Sequence, residues 1–185
     1  MDIAQEAEEK IREHLKKVQK EERNRPYLIA VDGMCASGKT TLSEKVQKEC
    51  PDIAVVHMDD FFLTPGQRTK ERLREVGGNI DYERFQKEVL KPLLTKGSCT
   101  YRIYDCHTQC FVGEKKIEKA KTVLVEGAYS RHPYFKDPYD EVYFLSISRE
   151  EQIERIRKRN GEKMLKRFME EWIPKENEYF KNCMK

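Results

Sequence analysis

Gly33-Met34-Cys35-Ala36-Ser37-Gly38-Lys39-Thr40-Thr41 fits G-x-x-x-x-G-K-[ST], the pattern of a phosphate-binding P-loop. Tyr27-Leu28-Ile29-Ala30-Val31-Asp32 precedes it, a short apolar, β-branched run that reads as a buried strand. Thr41 to Cys50 follows without Gly or Pro and reads as a helix. Glycines let successive backbone N–H groups turn inward and approach phosphate oxygens closely. The helix N-terminus adds free N–H donors and a partial positive charge. Gly33, Met34, Cys35, Ala36, Ser37, Gly38, Lys39, Thr40 and Thr41 are therefore expected to hold a nucleoside triphosphate. Lys39 is expected to reach its β- and γ-phosphates, and the Thr40 hydroxyl to bind Mg²⁺.

A chain of 185 residues suits a single domain, 1–185, with a full hydrophobic core. Apolar and charged residues balance at 38% and 37%, which implies a wet, charged surface. No apolar run approaches a membrane span and no secretory leader is evident, so a cytoplasmic location without membrane contact is expected. Net charge is +3, from 36 basic and 33 acidic residues, too balanced to argue for nucleic acid. Cys35, Cys50, Cys99, Cys106, Cys110 and Cys183 are expected as free thiols. Cys106-His107-Thr108-Gln109-Cys110 lacks a paired C-x-x-C, so a hairpin outweighs a metal site there.

Outward from the loop, residues 1–24 form an amphipathic helix, with Ile3, Ala7, Ile11, Leu15 and Val18 at helical spacing. Its stripe is expected to pack on the domain, and a homodimer contact stays open. Ile53–His57 is a second strand, continuous in hydrophobicity as in a parallel sheet covered on both faces. Residues 64–80 read as a mobile insertion ending in Gly77-Gly78. Asp81 opens a helix to Thr95, with Phe85, Val89, Leu90, Leu93 and Leu94 inward and Pro92 as a kink. Residues 98–113 form a hairpin: Cys99, Tyr101 and Ile103 alternate with Thr100, Arg102 and Tyr104. Thr122–Val125 and Glu141–Ile147 are the third and fourth core strands, and Ser148 caps the next helix. The fold class is thus α/β, a three-layer α/β/α sandwich with about four parallel core strands, a small antiparallel hairpin and a helical lid over residues 155–170.

In parallel α/β sheets, ligands bind outside the carboxyl ends of the strands. Asp59 and Asp60 follow the second strand, and Glu126 ends the third in the manner of a Walker B carboxylate serving Mg²⁺. Turn and cap roles compete for the aspartates, and position favours function for at least one. Arg131 and His132 follow near the expected site. Arg155, Arg157, Lys158 and Arg159 form either a solvated basic face or a phosphate-clamping lid, and charge alone leaves the two even.

The chain resembles the uridine kinase and phosphoribulokinase group of P-loop kinases. The resemblance rests on Gly33 to Thr41, Met58-Asp59-Asp60-Phe61-Phe62, Tyr104-Asp105, Glu126-Gly127 and Arg155-Ile156-Arg157-Lys158-Arg159, in the family's order. It implies that Asp59 is the general base and lies near Mg²⁺, and that Glu126 joins Thr40 around the metal. It implies that Arg155 and Arg159 stabilise the transferring phosphoryl charge, and that Asp81 and Tyr104 line the acceptor pocket. Cys106 and Gln109 stand where the family has Phe and His against a pyrimidine base. The lid lacks the family's Arg-Gly-Arg pattern, and Arg167 stands in for its later arginine.

No guanine-reading N/T-K-x-D segment occurs, which argues against a GTPase switch. The expected activity is ATP- and Mg²⁺-dependent phosphoryl transfer to a hydroxyl of a small acceptor, a nucleoside such as uridine or cytidine first. A kinase of pantothenate or a ribosyl compound is the alternative within that class. A partner-dependent nucleotide-binding ATPase is the alternative outside it.

Overall fold

The computed structural model describes residues 3–18, 21–50 and 52–183, the side chain of Cys183 excepted. The sequence expectations for residues 1, 2, 19, 20, 51, 184 and 185, and for the Cys183 thiol, lie outside what is described. The elements are α1 (Ile3–Val18), β1 (Tyr27–Gly33), α2 (Lys39–Glu49), β2 (Ile53–His57), α3 (Lys70–Arg74), α4 (Tyr82–Phe85), α5 (Lys91–Lys96), β3 (Cys99–Asp105), β4 (Cys110–Ile117), β5 (Thr122–Glu126), β6 (Glu141–Leu145), α6 (Arg149–Arg167) and α7 (Ile173–Cys183). The four core strands pair in the order β2-β5-β1-β6, all parallel, and β3 with β4 forms a separate antiparallel pair.

Alternate side chains of each core strand serve opposite faces. Leu28, Val56, Val123 and Val125 enter one apolar cluster with Phe61, Phe85, Leu93 and Tyr101. Ile29, Val31, Val55 and Leu124 enter another with Ala7, Ile11 and Leu15 of α1 and Leu42 and Val46 of α2. Covering both faces makes three layers, the architecture that continuous strand hydrophobicity predicts. α1 therefore spends its stripe on its own domain; Ile3, at the start of that stripe, is instead 45% exposed.

One local reading is corrected. Between α4 and α5 the helix passes through a π turn, Gln86–Leu90, which accommodates Pro92 two residues on, where no N–H can donate. The wider turn shifts the phase of the helix, so Leu93 is buried while Leu94 is 38% exposed. Residues 64–80, expected as an insertion over the site, contain a three-residue 3₁₀ turn, Pro65–Gln67, and α3. Arg72 ties them down: it lies over the Tyr82 ring and pairs with Glu83 at 2.7 Å.

After Ser148, whose hydroxyl accepts from Glu151 N at 3.2 Å, the chain is helical to Cys183 with one break. Gly161 has φ 77° and ψ 171°, outside helical geometry, and splits α6 within the expected lid. A second π turn, Phe168–Trp172, joins α6 to α7 ahead of Pro174.

Candidate active site

The P-loop hangs between β1 and α2 at the carboxyl end of the sheet. Met34 N donates to Leu145 O at 3.0 Å, which fixes the loop to the end of β6. Gly33 has φ +142°, and a Cβ there would lie 2.1 Å from Leu145 O, so no other residue fits this crossing. Lys39 Nζ donates to Gly33 O at 2.9 Å and Met34 O at 2.7 Å, within its own loop. Ser37 is buried, and its hydroxyl has no partner among the described residues. A buried hydroxyl without a partner, inside a ring of backbone donors, fits a polyphosphate.

Carboxylates converge beside this loop. The Thr40 hydroxyl donates to Glu126 Oε1 at 3.1 Å, and His57 Nδ1 lies 2.6 Å from the same oxygen. The strand register sets that pair: His57 sits opposite Glu126 across the β2–β5 ladder. The Glu126 hydrogen bond raises the His57 pKa against the opposing effect of burial. Asp59 opens to solvent on one side. Its pKa is raised, first by the protein packed around it and then by the Glu126 charge. Asp59 and Glu126, two carboxylates beside a threonine hydroxyl, form a hard oxygen donor set that fits Mg²⁺.

Two further carboxylates belong to the loop and were missed in the sequence. Asp32, buried at the root of the loop, accepts from Gly33 N at 2.7 Å, from Arg131 N at 3.2 Å and from the Tyr179 hydroxyl. Its placement just before the first loop glycine, in an otherwise apolar strand, was the available signal. Glu176 of α7 is buried and accepts from Cys35 N at 2.9 Å. Burial raises the pKa of both acids, and their hydrogen bonds act against that rise. Nothing in the sequence marks Glu176, because the contact joins segments far apart in the chain.

Of the lid residues, Arg155 reaches the loop, donating to Ala36 O at 3.1 Å while pairing with Glu151. Arg159 is exposed, and its charge is felt at Cys35. Arg167 faces elsewhere, pairing with Glu171 at 3.0 Å and lying over the Trp172 ring. The Arg131 side chain pairs with Asp137 at 3.1 Å.

Of the expected acceptor residues, Asp81 meets a buried arginine, Arg84. Arg84 donates to Asp60 O at 2.6 Å and Arg102 O at 2.7 Å, and its guanidinium lies over the Phe61 ring. Asp81 caps α4 by accepting from Arg84 N at 3.0 Å, and its other oxygen accepts from Gln67 Nε2 at 2.9 Å. Tyr104 is 3% exposed, and Phe111 covers it edge-on. A register shift beside Ile103 lets Phe111 stand opposite Tyr104. The Tyr104 hydroxyl has no partner among the described residues. Gln109 is exposed at the hairpin turn with φ 57°. Asp105, Cys106 and His107 offer ligand atoms within 4.8 Å of one another. Asp105 caps the turn, accepting from His107 N at 2.8 Å and the Thr108 hydroxyl at 3.1 Å.

The fold that carries this strand-loop-helix cradle is shared with solved structures whose names describe kinases. A protein provisionally assigned as a fructose transport system kinase from Silicibacter sp. TM1040 superposes with a TM-score of 0.74, covering 96% of this chain and 93% of that one at 17% identity. This is the α/β P-loop fold. A possible uridine kinase from Bacillus stearothermophilus shares the fold at TM-score 0.62 and 18% identity, over 90% of this chain and 94% of that one. D-glycerate 3-kinase from Cryptococcus neoformans shares the P-loop kinase fold at TM-score 0.63 and 15% identity, over 95% of this chain and 87% of that one. In sequence, nicotinamide riboside kinase 1 of Homo sapiens is 24% identical over 127 residues, which is 68% of this chain and 61% of that protein. The chain thus matches under two thirds of that relative's length. No protein-family profile matches it. No helix among the described residues is long and apolar enough to cross a membrane.

Proposed function

We propose that this chain is an ATP-dependent kinase that phosphorylates a hydroxyl of a small metabolite, with a nucleoside or similar riboside as acceptor. One observation carries the reading: Thr40, Glu126 and Asp59 converge beside the P-loop. Sequence similarity to nicotinamide riboside kinase, a kinase of a riboside by name, supports the acceptor class.

In this reading the loop amides, the Ser37 hydroxyl and Lys39 hold the phosphates, with Lys39 leaving its own loop carbonyls to do so. Thr40, Glu126 and Asp59 would hold Mg²⁺, which neutralises phosphate charge and fixes its geometry when bound. Asp59 orients the acceptor hydroxyl and takes its proton. Arg155 and Arg159 bring positive charge from α6 to the phosphate end of the loop. Arg84 fixes the backbone of the Asp59–Asp60 turn, and the Tyr104 hydroxyl gives the acceptor a buried partner. Gln109, exposed in the hairpin turn, makes a weak reader of a base, so the ribosyl hydroxyls are the shared determinant.

The test is ATP consumption in a coupled assay across uridine, cytidine, nicotinamide riboside, pantothenate and glycerate. Acceptor-dependent turnover, strongest with a riboside, is expected. Turnover that no acceptor changes would replace this reading with a partner-dependent ATPase.

A further inference from the structure

We propose that Glu176 is an internal anion that occupies the phosphate-binding loop, and that a nucleotide must displace it, and α7 with it, to bind. The proposal rests on the nucleotide-binding reading above and adds a competitor to it.

Cys35 N belongs to the ring of backbone donors between Gly33 and Gly38. That N–H is spent on Glu176 Oε2 at 2.9 Å. Glu176 is 6% exposed, and it reaches the loop from α7, the last of the described helices. Lys39 is likewise spent inside the loop, on Gly33 O and Met34 O. A carboxylate and a phosphate oxygen cannot share one donor, and two anions in one low-dielectric pocket repel each other.

Glu176 does not move alone. Tyr179, one turn further along α7, donates to Asp32 at the root of the loop. On α6, Gln152 Nε2 donates to Cys35 O at 3.0 Å and Arg155 to Ala36 O at 3.1 Å. Glu176 therefore lies on one side of the Gly161 break, and Gln152 and Arg155 on the other. A Cβ at Gly161 would meet nothing within 4 Å, so the break is not forced by crowding and leaves a place for the segment to pivot. Binding at the loop and release of α7 are then one equilibrium, and by linkage each weakens or favours the other equally.

Calorimetry with ATP and with inorganic tripolyphosphate, on the full chain and on Glu176→Gln and Glu176→Ala, tests the competition. Glu176→Ala is expected to bind both probes roughly tenfold more tightly than the parent, as fits loss of a charge-assisted hydrogen bond, with Glu176→Gln between them. Hydrogen exchange of the parent gives a second measurement that needs no variant. Amides of residues 173–183 are expected to lose protection when ATP binds. Unchanged or weaker binding in both variants, or unchanged exchange in α7 on ATP binding, would overturn the displacement and leave nucleotide binding standing. A parent chain that binds neither probe at millimolar concentration would overturn both readings together.

Discussion

His57 Nδ1 lies 2.6 Å from Glu126 Oε1, the same oxygen that the Thr40 hydroxyl contacts at 3.1 Å. Glu126 is thus held from a neighbouring strand and from the first turn of α2. A carboxylate clamped this way presents its second oxygen in a fixed direction, as outer partners of metal ligands do. His57→Ala is expected to raise the Mg²⁺ concentration for half-maximal activity by about 10- to 100-fold. Metal titration of the coupled assay reads this directly. An unchanged Mg²⁺ dependence would detach His57 from the site.

Asp59→Asn is expected to lower kcat by about 10²–10⁴-fold while nucleotide affinity stays within about twofold. Asparagine keeps the shape of the side chain and can no longer take a proton. Calorimetry and steady-state kinetics on one preparation separate the two effects. Activity near that of the parent would move the base to Asp60, whose carboxylate lies 3.4 Å from the Tyr101 hydroxyl.

Tyr104→Phe removes a buried hydroxyl that has no protein partner among the described residues. Stability is expected to hold or to rise by up to about 1 kcal/mol, because an unsatisfied polar group leaves the core. If the hydroxyl serves the acceptor, KM for the acceptor rises about tenfold while KM for ATP is unchanged. A loss of stability would mean that a hidden partner satisfies the hydroxyl without substrate.

Asp140 anchors the entry to β1. It accepts from Arg25 at 2.7 and 2.8 Å, from Arg23 at 2.8 Å and from Leu28 N at 2.9 Å. Burial alone would raise its pKa, but these hydrogen bonds, that of Arg25 foremost, hold it below the usual carboxylate range. Its stabilisation is therefore complete above the unfolded value of about 3.9 and is lost as pH falls through the lower folded value. Asp140→Asn is expected to lower Tm by about 3 °C at pH 7, with the gap to the parent closing towards pH ~3. A gap that stays constant across that range would show that charge plays no part.

The core strands and the loop were legible because their signals are local. Continuous apolar runs announce buried parallel strands, and the loop pattern carries its own chemistry. Glu126 was legible from its place at a strand end. His57, Asp32 and Glu176 were not, because each acts through a partner set by register or packing far along the chain: His57 through β5, Asp32 through Tyr179, Glu176 through Cys35. Leu94 was misplaced because a π turn changes helical phase without a sequence mark other than Pro92. The cover that Phe111 gives Tyr104 from the partner strand carries no mark in the alternation of β3.

The strand order also governs when the molecule can fold. β1 pairs only with β5 and β6, and β2 only with β5. Among the described residues, both early strands find their sheet partners within residues 122–145, whereas the β3–β4 hairpin closes between neighbouring segments. Pairings this distant in sequence are slow to form, and waiting strand edges are open to wrong partners. The loop, tied by Met34 to Leu145, takes shape only when the last strand docks. The loop is thus made about a hundred residues before the strand end that holds it.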